Sequence, residues 1–196
     1  MLCASTAVLA DDVPRLEITP YVGYRGGGQW QDADGDAPFA KDASYGVIVN
    51  YRATYKTQWE VFYGRMSTNI ETRNATLDGS FLGIDMRYLH AGGTYVFREE
   101  RLAPFLSMTF GVSRLTPDDG ALSEETYFSA SMGLGLRYEL QRNLGLRLEA
   151  RAMGLFGKSN SLVFCETVVG GEDCFVGGDR GVIPQLEVLA GLSFRF

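Results

Sequence analysis

The sequence predicts an all-β fold, a single eight-stranded antiparallel up-and-down β-barrel that spans a membrane. Three observations carry the prediction. Segments alternate apolar with polar or small residues, the connections between them alternate short with long, and the chain ends on such a segment with a terminal phenylalanine. Residues two apart share one face of a strand, so sustained alternation marks a sheet that is apolar on one side only. In Pro184–Phe196, Leu186, Val188, Ala190, Leu192, Phe194 and Phe196 fall on one face, and Gln185, Glu187, Gly191, Ser193 and Arg195 on the other. An open sheet ending this way would expose an apolar edge to pairing with other chains. Closure removes the edge and a bilayer takes the apolar face, which makes the outer membrane of a Gram-negative bacterium the expected location.

The other seven strands follow the same rule. Arg15–Arg25 turns Leu16, Ile18, Val22 and Tyr24 outward, and Glu17, Thr19, Tyr21, Gly23 and Arg25 inward. Ser44–Arg52 sends out Tyr45, Val47, Val49 and Tyr51; Gln58–Met66 sends out Trp59, Val61 and Tyr63 and keeps Glu60, Phe62 and Gly64 inside. Ile84–Phe97 sets Leu89, Ala91, Gly93, Tyr95 and Phe97 against His90, Gly92 and Thr94. Asp85 and Arg87 share its lipid-side phase and are expected beyond the bilayer, which a strand crosses in roughly 9–11 residues. Pro104–Arg114 alternates Leu106, Met108, Phe110 and Val112 with Ser107, Thr109, Gly111 and Ser113. Thr126–Leu140 is the most regular, with Phe128, Ala130, Met132, Leu134, Leu136, Tyr138 and Leu140 out and Ser129, Ser131, Gly133, Gly135, Arg137 and Glu139 in. Leu144–Leu155 turns Leu146, Leu148, Ala150 and Ala152 out and Arg147, Glu149 and Arg151 in.

Arg52–Thr57, Arg98–Ala103 and Gln141–Leu144 are short connections, whereas Gln31–Asp42, Ser67–Ser80, Thr116–Glu124 and Gly157–Ile183 are long and polar or glycine-rich. Short periplasmic turns and long external loops are usual in such barrels, so both termini are expected in the periplasm. Residues 11–196 make one domain. Met1–Ala10, small and apolar with Asp11-Asp12 directly after, reads as the tail of a secretory signal. Leu2 is too bulky for the residue before a lipidated Cys3. In an oxidising compartment Cys165 and Cys174, close together in a glycine-rich loop, are expected to form a disulfide. A net charge of −6 with no Lys/Arg cluster argues against nucleic acid as a partner.

Tyr88-Leu89-His90-Ala91-Gly92-Gly93-Thr94-Tyr95-Val96-Phe97, the following Ala103-Pro104-Phe105, and the ending Gly191-Leu192-Ser193-Phe194-Arg195-Phe196 resemble the small outer-membrane β-barrel family related in shape to OmpA, OmpX and OmpW. The resemblance implies the fold and the location. It also implies that the terminal aromatics Phe194 and Phe196 serve as the signal read by the barrel-assembly machinery, and that outer-membrane lipid and lipopolysaccharide surround the protein. Members differ in what they do, so an extracellular partner stays open.

Function would show at the inward positions, and these are charged: Glu17, Arg25, Arg52, Glu60, Arg137, Glu139, Arg147, Glu149, Arg151, Glu187 and Arg195. An eight-stranded interior is filled by side chains, and buried ions must pair. The expected role is therefore structural or surface interaction around a plugged, charge-paired lumen; the alternative is a narrow channel or carrier for small molecules, hydrophobic ones included. Opposite charges suggest register. A three-residue hairpin at 142–144 would set Gln141 against Gly145, Glu139 against Arg147 and Arg137 against Glu149. At the closing seam, Arg195 is expected beside Glu17 and Glu187 beside Arg25, with Arg151 sharing Glu187.

Catalysis is not expected. The single histidine, His90, lacks the His-x-Ser spacing of barrel lipid A deacylases and reads as a luminal polar residue. Asp32-Ala33-Asp34-Gly35-Asp36 opens like a calcium loop, but Ala37 replaces the turn glycine and Ala43 the closing glutamate, so no metal site is expected. Gly28-Gln29-Trp30 echoes the lipocalin signature, yet the chain ends in a strand rather than a helix. No cofactor is implied.

Overall fold

The alternating segments pair edge to edge until the last meets the first. The structure, a computed structural model, describes residues 15–27, 29–32, 35–38, 42–71, 81–98, 100–117, 124–156, 162–168, 171–177 and 182–196. Its strands are β1 (Leu16–Gly26), β2 (Gln29–Asp32), β3 (Gly35–Pro38), β4 (Asp42–Arg52), β5 (Thr57–Glu71), β6 (Phe81–Val96), β7 (Leu102–Pro117), β8 (Glu125–Gln141), β9 (Leu144–Phe156), β10 (Leu162–Val168), β11 (Gly171–Gly177) and β12 (Val182–Arg195). Eight of them close into an antiparallel barrel in the order β1-β12-β9-β8-β7-β6-β5-β4, with β4 returning to β1. The barrel is sealed to the last residue. Phe196 donates its N–H to the Leu16 carbonyl at 2.9 Å, and its own carbonyl accepts from the N–H of Arg15 at 3.0 Å and of Leu16 at 3.2 Å.

Two stretches read from sequence as loops contain strands. β2 pairs with β3, and β10 with β11, as hairpins outside the barrel order. Each arm is only 4 or 7 residues long and its sequence does not sustain an alternation of apolar with polar residues, so period two gave no signal there. The Met1–Ala10 signal expectation lies outside the described residues.

The outer wall is apolar. Val22, Tyr24, Trp59, Leu89, Met108, Phe110, Leu134, Leu186 and Val188 are among the large side chains exposed on it, forming a belt far larger than a water-soluble surface carries. Near the short turns the belt is aromatic, with Tyr51, Tyr55, Trp59, Tyr95, Phe97 and Tyr138 exposed, as expected of side chains that sit where lipid meets water. The interior has two parts. Toward the short turns it is polar and charged; toward the long connections it is an apolar cluster that includes Ile48, Phe62, Ile84, Met86, Leu115, Met153, Leu155 and Leu189.

Candidate functional site: the barrel lumen

All eleven charged residues expected inward lie on the luminal phase of their strands, and side chains from opposite walls meet there. The central contact spans the barrel. Glu60 is on β5 and Arg147 and Arg151 are on β9, four strands away in either direction around the ring. Glu60 Oε2 accepts from Arg147 Nη2 at 2.9 Å and Glu60 Oε1 from Arg151 Nη2 at 2.6 Å. Glu149, between the two arginines on β9, accepts from Arg147 Nε at 2.9 Å and from Arg151 Nε at 3.0 Å. These four side chains have no solvent exposure, and two carboxylates against two guanidiniums leave them neutral.

Neutral residues complete this group. Arg147 Nη1 donates to Asn50 Oδ1 at 2.9 Å, Asn50 Nδ2 to Glu60 at 3.1 Å, Thr94 to Glu60 at 2.5 Å, and Ser107 to Glu149 at 2.6 Å. A buried carboxylate has several lone pairs to satisfy, and here hydroxyls and an amide share them with the arginines.

Toward the short turns a second neutral set forms. Arg195 donates to Glu17 and to Glu139, each at 3.0 Å, and Arg137 lies 3.7 Å from Glu17 while donating to Gln58 at 2.7 Å. Arg52 lies at this end, where it lines, with Arg15, Leu16, Glu17, Asn50, Gln58 and Arg195, a cavity of about 10 Å³, room for one water. Toward the long connections, Arg25 donates to Glu187 at 2.8 Å and Ser44 to Glu187 at 2.5 Å. A second diameter is closed at that level, where the Tyr88 hydroxyl on β6 donates to Gln185 Oε1 on β12 at 2.9 Å.

Aromatic rings cover the guanidinium faces that hydrogen bonds do not use. Arg25 stacks over Tyr88 at 4.0 Å, Arg151 over Phe62 at 4.2 Å and Arg147 over Phe105 at 4.5 Å, contacts that favour a desolvated cation. Phe105 fits because position 135 is glycine: a Cβ there would meet Phe105 Cζ at 2.3 Å.

The register at the closing seam pairs Glu17 with Arg195 and Arg25 with Glu187, and β9 sets Arg151 opposite Glu187. The β8–β9 register differs from the one charge suggested. The turn is two residues, Arg142 and Asn143; Gln141 faces Leu144 and, after an irregularity, Glu139 faces Gly145 and Arg137 faces Arg147. The physical reason is that these side chains find their partners across the lumen rather than on the next strand. Gly133, Gly135 and Gly145 stand opposite Arg151, Glu149 and Glu139, leaving long side chains room to extend inward. Both like charges rest against Phe105, Arg147 at 4.5 Å and Arg137 at 5.0 Å. The same logic corrects the sharing of Glu187: Arg151 directs its guanidinium to Glu60 and Glu149, so Glu187 holds Arg25.

His90 is buried in this polar interior. Its Nε2 lies 2.7 Å from the Ser129 hydroxyl and its Nδ1 3.3 Å from that of Thr109, and Ser113 donates to Ser129 at 2.6 Å. Strand β8 brings Ser129 there from far along the sequence, so no local motif could have announced the pair. Among the described residues no group of His, Cys, Asp or Glu is placed to hold a metal.

With a closed barrel, an apolar outer belt and a filled polar interior in view, the comparisons are decisive as to family. The profile of the outer membrane protein beta-barrel domain matches residues 1–196. The chain belongs to that family. Among solved structures, this outer-membrane barrel is similar to Neisserial surface protein A, NspA, at 16% identity and a TM-score of 0.64, over 92% of this chain and 97% of that one. It is also similar to the outer membrane protein OprG from Pseudomonas aeruginosa, at 11% identity and a TM-score of 0.59, over 94% and 96%. At those identities the likeness is one of fold. No curated protein matches the sequence.

Removing Glu60 from this outer-membrane barrel would leave two buried guanidiniums short of a carboxylate. Glu60→Ala is expected to destabilise the protein by about 3–5 kcal/mol, against no more than about 0.5 kcal/mol for Glu125→Ala outside the paired set. Urea unfolding from lipid vesicles checks the difference, and equal losses would contradict the assignment.

Proposed function

We propose that this outer-membrane barrel is a closed, non-conducting scaffold that works through its outer surface and long connections. The observation that carries the reading is the contact of Glu60 with Arg147 and Arg151 across the full width of the lumen. The Tyr88–Gln185 bond closes a second diameter, and the apolar cluster fills the space beyond it. A solute would have to break a desolvated ion group and separate packed side chains to pass.

In this reading the short turns and both termini face the periplasm, and the connections holding β2–β3 and β10–β11 face outward. Phe196, 68% exposed though its backbone is fully paired, and Phe194 on the same face supply the aromatic signal for the barrel-assembly machinery. Lipid and lipopolysaccharide surround the belt. The interior hydroxyls and His90 act as polar packing rather than as a catalytic set. The similar Neisserial protein is named a surface protein, which fits work done at the outer face.

Planar-bilayer recording of the refolded protein tests closure. The wild type is expected to show no steady conductance, while Glu60→Ala combined with Phe105→Ala opens transient steps. A stable wild-type channel would contradict the scaffold reading and put a narrow channel for small molecules in its place.

The hairpin register sets Cys165 directly opposite Cys174, which supports a disulfide in exported protein. Such a bridge would stabilise the hairpin by about 2–3 kcal/mol through loop closure. Reduction is expected to free two thiols without altering the barrel's unfolding midpoint. Alkylation of both cysteines before reduction would exclude the bridge.

A further inference from the structure

The outer wall carries cations at one height and on three adjacent strands. Arg65 on β5 faces Arg87 on β6, which faces Arg114 on β7; Tyr45 flanks the row on one side and Thr126 on the other. Among the described strand residues, no other lysine or arginine lies on the outward phase. Neighbouring strands lie about 4.8 Å apart, so the three arginines span about 10 Å. Their side chains are 40%, 48% and 55% exposed.

The rows on either side place these arginines at a boundary. On the barrel side, Tyr63, Leu89, Val112 and Phe128 form the next outward row, all exposed and apolar. On the loop side lie Ser67, Asp85 and Thr116, with Glu124 bonded to Thr116 at 3.3 Å. Asp85 accepts from Arg65 Nε at 2.6 Å and from Arg87 Nε at 3.0 Å, and Glu124 lies 3.5 Å from Arg114. The carboxylates thus approach from the loop side and hold the guanidiniums in a row. Three cations against two anions leave one net positive charge directly above the apolar belt.

Guanidinium forks recognise phosphate by paired, charge-assisted hydrogen bonds, and a row of them matches a ligand with more than one phosphate. The position at the edge of the belt selects a phosphate fixed to acyl chains, because the chains lie against Tyr63, Leu89 and Val112 while the head group reaches the arginines. We propose that Arg65, Arg87 and Arg114 form a docking row for the phosphates of an acylated, phosphorylated sugar lipid in the leaflet at the loop end. Tyr45 and Thr126 supply hydroxyl donors at its two ends. The docking row rests on the reading that the long connections face a leaflet holding such lipid, but not on the closed lumen: a conducting lumen would leave the outer row unchanged, and lipid retention and conductance fail separately.

The test uses the whole barrel in phosphatidylcholine nanodiscs doped with diphosphorylated lipid A, with retained glycolipid per barrel read by native mass spectrometry. Both leaflets carry the lipid, so the result does not depend on orientation. The wild type is expected to retain diphosphorylated lipid A at least tenfold better than fully dephosphorylated lipid A. The variant carrying Arg65→Gln, Arg87→Gln and Arg114→Gln is expected to lose that preference, whereas Arg142→Gln at a short turn keeps it. Heat-dependent gel mobility confirms that each variant is folded. Equal retention of the two lipids by the wild type, which needs no variant, would overturn the proposal. So would an unchanged preference in the triple variant, or full displacement by the deacylated phosphorylated disaccharide at equal concentration, which would mark a site for soluble anions.

Discussion

The Glu60 carboxylate is held between Arg147 and Arg151, which come from the strand diametrically opposite, and the rest of the interior is arranged around that contact. A lone ion in a lumen walled by protein and surrounded by lipid would be severely penalised. Here the charges are held in compensating groups: Glu60 and Glu149 with Arg147 and Arg151, Glu17 and Glu139 with Arg137 and Arg195, Glu187 with Arg25. In the central group, Asn50, Thr94 and Ser107 from other strands donate to Glu60 and Glu149 as well, so the group ties together walls that share no backbone hydrogen bond.

Glycine is the structural counterpart of those long side chains. Positions 133, 135 and 145 stand opposite charged residues on the neighbouring strand, and 135 also admits the Phe105 ring that Arg137 and Arg147 both contact. A small residue beside a large one lets a narrow barrel accept arginine without widening. Along the belt the same strands present an apolar face outward, because period two assigns the two demands to opposite faces.

That separation is why the fold was legible in the sequence. Alternation located all eight barrel strands and their inward charges, and charge complementarity found the β1–β12 register because Glu17 and Arg195, Arg25 and Glu187 are direct neighbours. It failed at β8–β9, where Arg137 faces Arg147, because the partners of those side chains lie across the lumen and no single-strand pattern encodes a diameter. The β10–β11 hairpin was hidden for a different reason, its arms being only 7 residues long with no sustained alternation in their sequence. The outer arginine row was half visible: Asp85 and Arg87 break the apolar phase of their strand, but only the register reveals that Arg65 and Arg114 stand beside Arg87.

A carboxylate on one wall and guanidiniums on the opposite wall act as a single stabilising unit. A double-mutant cycle with Glu60→Gln and Arg151→Met, read by urea unfolding from lipid vesicles, tests it most directly. The expected coupling free energy is about 2 kcal/mol or more, as for side chains within one ion-pair network. Coupling below about 0.5 kcal/mol, the range of independent sites, would contradict it.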